Sequence, residues 1–214
     1  MLRSERLPIT LPAMARLTRD FFARETLIVA RNLLGCRLVH IVDGRRVSGR
    51  LVEVEAYTGS DDAASHASRG RTPRNAVMFG PPGVSYVYFT YGIHWLLNVI
   101  AKPPDVDYGA AVLLRALEPL EGLELMAARR IGRPRREWAN GPAKLTKALG
   151  IDGAHNRVDM TAPDGSLFFE WDDPVPDGLV LTGPRVGIDS VPEPWKSKPW
   201  RFWVAGSPHV SRSR

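Results

Sequence analysis

The stretch that most constrains this chain runs from Val47 to Tyr57 and is entered through the turn signal Asp43-Gly44. Within Arg50-Leu51-Val52-Glu53-Val54-Glu55-Ala56-Tyr57 the side chains alternate with period two. A strand there points Val52, Val54 and Ala56 to one face and Glu53, Glu55 and Tyr57 to the other. Cys36 to Ile41 supplies the strand before the turn. A second run, Val84 to Thr90, puts Tyr86 and Tyr88 on one face and ends in a turn with Tyr91 at its tip. A carboxylate and tyrosines presented together suit chemistry on a flat aromatic ring. The carboxylate can orient and deprotonate water, and tyrosine faces can grip the ring by stacking.

The remaining pattern builds a domain around those strands. Thr26 is expected to cap a helix whose inner stripe is Leu27, Ala30, Leu33 and Leu34, stopped by Gly35. A Gly-, Pro- and Arg-rich loop fills 58–83, and further strands are expected at His94 to Ile100 and Ala110 to Ala116. Glu118-Pro119 reads as the start of a helix through Arg130, with Pro at an early helical position. Another helix starts at Gly141-Pro142-Ala143-Lys144 and ends at Gly150, with Leu145, Ala148 and Leu149 inward. Short strands at Ser166 to Glu170 and Gly178 to Thr182 precede the Trp-rich segment Trp195 to Val204. Strands with interspersed helices and no βαβ repeat imply an α+β fold: one mixed domain with a curved, mostly antiparallel β-sheet core and surrounding helices. The domain is expected over 17–212, behind a short mobile extension at 1–16.

Composition narrows the partners. The formal charge of +6 and a pI near 9.8 favour a polyanion, and 24 of the 29 basic residues are arginines, which offer bidentate contacts to phosphate. The single cysteine, Cys36, excludes an internal disulfide framework and a Cys-based metal cage, which points to a reducing compartment. No apolar run is long enough to span a bilayer, and 1–15 lacks a signal-peptide core, so a cytoplasmic protein is expected.

Six motifs occur in order: Glu53-Val54-Glu55-Ala56-Tyr57, Asp62-Ala63-Ala64-Ser65-His66, Arg71-Thr72-Pro73-Arg74-Asn75, Tyr86-Val87-Tyr88-Phe89-Thr90-Tyr91-Gly92, Leu113-Leu114-Arg115-Ala116-Leu117-Glu118-Pro119 and Asn140-Gly141-Pro142-Ala143-Lys144-Leu145. Together with Arg201-Phe202-Trp203-Val204-Ala205-Gly206-Ser207-Pro208 they resemble the alkyladenine (3-methyladenine) DNA glycosylase family over roughly 17–212. The resemblance implies a monofunctional repair enzyme that flips an alkylated or deaminated purine from double-stranded DNA and hydrolyses its N-glycosidic bond. It implies no cofactor, no metal and no membrane, and a monomer as the working form.

Carried over position by position, the resemblance makes Glu55 the general base that activates water. Arg115 is the cation positioning it, and Val186 a residue whose backbone carbonyl helps hold the water. A carboxylate beside the sugar also stabilises the cationic character of the transition state. Glu53, on the same strand face, is the competing carboxylate. Tyr57, His66 and Tyr88 match the residues that sandwich the flipped base, and Asn98 a pocket-floor residue that can exclude guanine through its 2-amino group. Tyr91 matches the wedge that fills the gap left in the duplex. Arg69, Arg71, Thr72 and Arg74 lie in a loop that can meet phosphates, and Gly141 and Lys144 start a helix with free N–H groups. Tyr86 reads as core filling, and the Arg129-to-Arg136 cluster as either a solvated helix end or a phosphate contact. Two other functions fit parts of the pattern: a noncatalytic damage-binding module, and a lyase using Lys144 or Lys147 as an amine nucleophile.

Overall fold

The computed structural model describes residues 15–211. The expected extension up to Met14, and Arg212, lie outside them. Arg16 already belongs to the packed protein. It bridges to Glu170, and its guanidinium lies 3.4 Å from the Phe168 ring centroid.

Eight antiparallel strands form one curled sheet: β1 (Arg37–Val42), β2 (Arg45–Tyr57), β3 (Ser85–Thr90), β4 (His94–Ile100), β5 (Ala111–Glu121), β6 (Leu167–Glu170), β7 (Val180–Gly183) and β8 (Arg201–Val204). Their order is β3-β4-β5-β2-β1-β6, with β8 joining β2 to β7. The 13-residue β2 organises it all. Its first half pairs with β1 across the Asp43-Gly44 turn, and its second half pairs with β8, while β5 runs along the other edge. Asp43 and Gly44 both take positive φ (50° and 73°), which matches the right-handed twist of the strands they join.

Among the described residues four α-helices, α1 (Arg19–Phe22), α2 (Thr26–Leu33), α3 (Leu123–Arg129) and α4 (Pro142–Leu149), surround the sheet. Phe22, Val29 and Leu33 meet Val54, Leu114, Leu145 and Phe169 in one buried cluster. Each such side chain contributes roughly 1.5–3 kcal/mol by leaving water. The α+β reading therefore holds, as one domain on an antiparallel sheet. Both faces of β2 are buried between Leu51 and Ala56, with Val186 and Ser211 packed on the face of Glu53 and Glu55.

Two expectations are corrected. The helix from Glu118 is instead the end of β5, and only Leu123–Arg129 is helical. Pro119 stands opposite Gly49 at a register shift, where a missing N–H costs the ladder little. Gly49 is required there, because a Cβ would lie 2.2 Å from a Leu117 methyl and 2.6 Å from the Glu118 carbonyl oxygen. Thr26 is the first residue of α2 rather than its cap, and its hydroxyl donates to the Ala101 carbonyl at 2.8 Å. Pro142 and Gly150 do bound α4 as expected, with Gly150 left-handed at φ 73°.

Candidate active site

The strand alternation brings Glu53, Glu55 and Tyr57 to one side of β2, and β5 supplies Arg115 beside them. Register shifts between Leu51 and Val54 mark bulges in the β2–β5 ladder immediately before Glu55. Bulges of this kind re-aim side chains next to functional sites.

Glu55 is fully buried. Its Oε1 accepts the Val186 N–H at 2.7 Å and lies 3.1 Å from Arg115 Nη1, while Oε2 accepts the Tyr57 hydroxyl at 2.8 Å. Burial alone would lower the Arg115 pKa, but Glu55 and Glu53 raise it above the ordinary arginine value. Burial, then the Glu55 charge, push the Tyr57 phenol well up, so it remains a neutral donor. The contact of Val186 with Glu55 is through its N–H.

In front of this carboxylate lies a cleft of about 390 Å³, within the size range of small-ligand sites. Tyr57, His66, Tyr88, Asn98, Arg115 and Val186 line it, so the structure brings together the base-binding and catalytic candidates. His66 packs edge-on to Tyr88 with ring centroids 4.6 Å apart. Tyr86 departs from pure core filling. Its hydroxyl lies 2.9 Å from His66 Nδ1, its ring centroid 5.3 Å from that of Tyr88, and it also lines the cleft. Asn98 donates from Nδ2 to the Tyr86 carbonyl at 3.0 Å, which fixes its amide on the cleft wall.

Tyr91 sits at the tip of the β3–β4 hairpin, 87% exposed, with φ 51°. Positive φ is a rare conformation for a bulky residue, and such outliers concentrate at functional positions. Gly92 beside it, at φ 68°, completes the turn.

The proposed backbone-contact residues divide. Arg69, Arg71 and Thr72 are exposed on the loop before β3. Buried Asn75 holds that loop: it accepts from Thr72 N–H at 2.6 Å and donates to the His66 and Gly70 carbonyls. Arg74, exposed as well, stands at the cleft rim, donating to the Phe89 carbonyl at 3.0 Å with its guanidinium 5.7 Å from the Tyr88 ring centroid. Gly141 and Lys144 line a neighbouring groove of about 860 Å³ that meets the cleft at Pro142 and also carries Arg130, Arg133 and Lys147. Lys144 Nζ donates to Asn140 Oδ1 at 2.8 Å. The groove is larger, but the smaller cleft is the one lined by the aromatic rings and by Tyr57, Arg115 and Val186, the three residues that touch the Glu55 carboxylate, which makes it the candidate site. Arg129, Arg130 and Arg135 spend donors on the Ala148, Glu137 and Pro119 carbonyls, as a helix end does.

One supporting pair is not apparent from strand patterns. Arg185 and Asp62 are fully buried and paired through two bonds, Nη1 to Oδ2 at 2.5 Å and Nη2 to Oδ1 at 2.8 Å. The Arg185 guanidinium lies 4.6 Å from the Tyr57 ring centroid, and the next residue, Val186, holds Glu55. Asp62 lies in a quoted motif and Arg185 precedes Val186, so proximity to those motifs is the signal available. Among the described residues, no group of three or more His, Cys, Asp or Glu side chains is placed to hold a metal ion, and no helix is long and apolar enough to cross a membrane.

Comparison with known proteins agrees with this geometry. Residues 20–208 match the family model described as "Methylpurine-DNA glycosylase (MPG)". Proteins named "Putative 3-methyladenine DNA glycosylase" are similar over nearly their whole length. The Myxococcus xanthus relative is 46% identical over 92% of this chain and 93% of its own, and that of Burkholderia cenocepacia 48% identical over 90% and 89%. The Streptomyces avermitilis relative is 46% identical over 96% and 95%. With the family model spanning most of the chain and relatives well above 40% identity, this protein belongs to the methylpurine-DNA glycosylase family, enzymes that hydrolyse N-glycosidic bonds in DNA.

Proposed function

We propose that this protein excises alkylated and deaminated purines from double-stranded DNA, with 3-methyladenine, 7-methylguanine, hypoxanthine and ethenoadenine as its substrate class. A water activated by Glu55 is the nucleophile. The observation that carries the reading is the buried Glu55 carboxylate, gripped on three sides directly behind an aromatic cleft. A carboxylate accepts about four hydrogen bonds; the Val186 N–H and the Tyr57 hydroxyl supply two, and Arg115 Nη1 lies 3.1 Å from Oε1 as an ion pair. The remaining acceptor position on Oε2 takes the water proton. Arg115 and the Val186 N–H keep the carboxylate oriented, so its charge also stabilises the positive sugar in the transition state.

The damaged purine stacks among Tyr57, His66 and Tyr88, each stacked face being worth roughly 1–3 kcal/mol. Asn98, its amide fixed by Tyr86, stands at the edge where guanine carries its 2-amino group and so disfavours undamaged guanine. Tyr91 enters the gap left by extrusion. Arg69, Arg71 and Thr72, with the basic groove at Lys144, contact flanking phosphates. The protein acts as a monomer in the cytoplasm, through one glycosylase domain over 17–212. Incubating it with duplexes carrying each lesion and quantifying the released free base tests the reading. Release of none of the four purines contradicts it.

A further inference from the structure

Glu53 is the buried carboxyl group that this reaction leaves without a task. It is as deeply buried as Glu55. Its Oε1 accepts from Arg115 Nε at 2.9 Å, Arg201 Nε at 2.8 Å and the Ser211 hydroxyl at 2.8 Å, and its Oε2 from the Ser211 N–H at 2.6 Å. We propose that Arg201 and Ser211 are positioning residues for excision, holding Glu53 so that Arg115 remains shared between Glu53 and Glu55. The inference rests on Glu55 being the base.

The guanidinium of Arg115 makes two hydrogen bonds, Nε to Glu53 and Nη2 to the Ser211 hydroxyl at 3.2 Å, and its Nη1 lies 3.1 Å from Glu55 as an ion pair. Because the group is planar, three contacts fix both its place and its tilt. Two buried carboxylates compete for that one cation. Arg201 supplies the second positive charge, so Glu53 and Glu55 are balanced by Arg115 and Arg201. Without Arg201 and Ser211, Glu53 draws Arg115 toward itself and Glu55 loses part of its partner. The fold delivers both helpers together. Strand β8 pairs with β2 so that Arg201 stands opposite Glu55, and Trp203, opposite Glu53, carries the Arg201 guanidinium 4.7 Å from its ring centroid. The segment after β8 returns Ser211 to the same spot, beyond residue 208, where the family match ends. Around Glu55 the charged and titratable groups are Arg115 from β5, Tyr57 and Glu53 from β2, Tyr88 from β3, Arg201 from β8 through Glu53, and Arg185 with Asp62 behind Tyr57.

The test is Ser211→Ala, with single-turnover excision measured across pH at saturating lesion duplex. Misplacing a catalytic group by about 1 Å costs on the order of 100-fold, and a partial loss of hold should cost about 10-fold. That 10-fold loss is expected with unchanged DNA affinity, in protein that remains folded at the assay temperature although the lost hydroxyl lowers its melting temperature. The acidic limb of the rate profile is also expected to move to higher pH, because Glu55 has lost part of its cation. Arg201→Lys, which keeps the charge and removes the Nε–H, should behave likewise, and it decides the matter if Ser211→Ala melts early. Wild-type rates in both variants overturn the inference. A slower rate with an unmoved acidic limb overturns it too, by showing packing alone. If Glu55→Gln abolishes excision while both variants are normal, only this inference falls; if Glu55→Gln excises normally, the base assignment falls and this inference with it.

Discussion

Replacing Asp62 with Asn should be among the most damaging single changes available outside the cleft. The carboxylate is fully buried, accepts two bonds from Arg185, and also takes the N–H groups of Thr58 at 3.2 Å and Ala64 at 3.1 Å. The amide is nearly the same shape but carries no charge and offers an NH2 where an acceptor is needed. Arg185 is then buried as a cation facing no anion, with only the Ala56 and Trp195 carbonyls at 3.0 and 3.3 Å. Breaking one side of a buried pair costs about 3–5 kcal/mol. For a chain of this size each kcal/mol lowers the melting temperature by roughly 2–4 °C, so Asp62→Asn should melt roughly 6–20 °C lower. Excision should fall as well, because Arg185 stands over Tyr57 and sets Val186 on Glu55. The assays are calorimetric melting and single-turnover base release. A neutral double variant, Asp62→Asn with Arg185→Gln, should recover part of the lost stability, since the unpaired charge is the main cost. A melting temperature for Asp62→Asn within about 2 °C of wild type would refute the reasoning.

Three further outcomes follow from the geometry. Tyr91→Ser removes the exposed wedge at the hairpin tip, so excision should slow about 10- to 100-fold on paired lesions and much less on single-stranded ones; equal losses would remove the wedge role. Borohydride should trap no covalent adduct, because water is the nucleophile and Lys144 Nζ is engaged by Asn140; a trapped species lost in Lys144→Ala would contradict this. Burial, then the charges of His155 and Arg129, hold the His40 imidazole below the ordinary histidine range, against the opposing pull of the Leu149 carbonyl and Asp152. Folded protein therefore binds fewer protons than the unfolded chain below about pH 6.5, so stability is complete above that value and declines as pH falls toward the lowered one. His40→Gln should flatten the fall in the denaturation midpoint between about pH 7 and 5, and an unchanged slope would exclude His40 as a source.

Much of the site was legible because it is written in short-range patterns. Period-two alternation placed Glu55 and Tyr57 on one face, and the Tyr91-Gly92 turn placed the wedge at a tip. The element boundaries that failed did so for tertiary reasons. Pro119 looked like a helix start, yet a bulge opposite Gly49 lets it continue a strand. Thr26 looked like a cap, yet its hydroxyl serves the Ala101 carbonyl. The Asp62–Arg185 pair and the Glu53–Arg201–Ser211 cluster join residues 123 to 158 positions apart, where no local period can reveal them. Loop 102–108, for which the sequence offered no role, is held by buried Lys102 donating to the Phe79 and Val106 carbonyls at 3.3 and 3.0 Å.

Buried Glu55 as the base for hydrolysis stands or falls with Glu55→Gln. The amide keeps the shape and cannot take a proton from water. Single-turnover release of hypoxanthine from duplex DNA, with folding confirmed by melting and DNA binding measured separately, should fall about 100-fold or more while binding persists. Release at close to the wild-type rate would contradict the account.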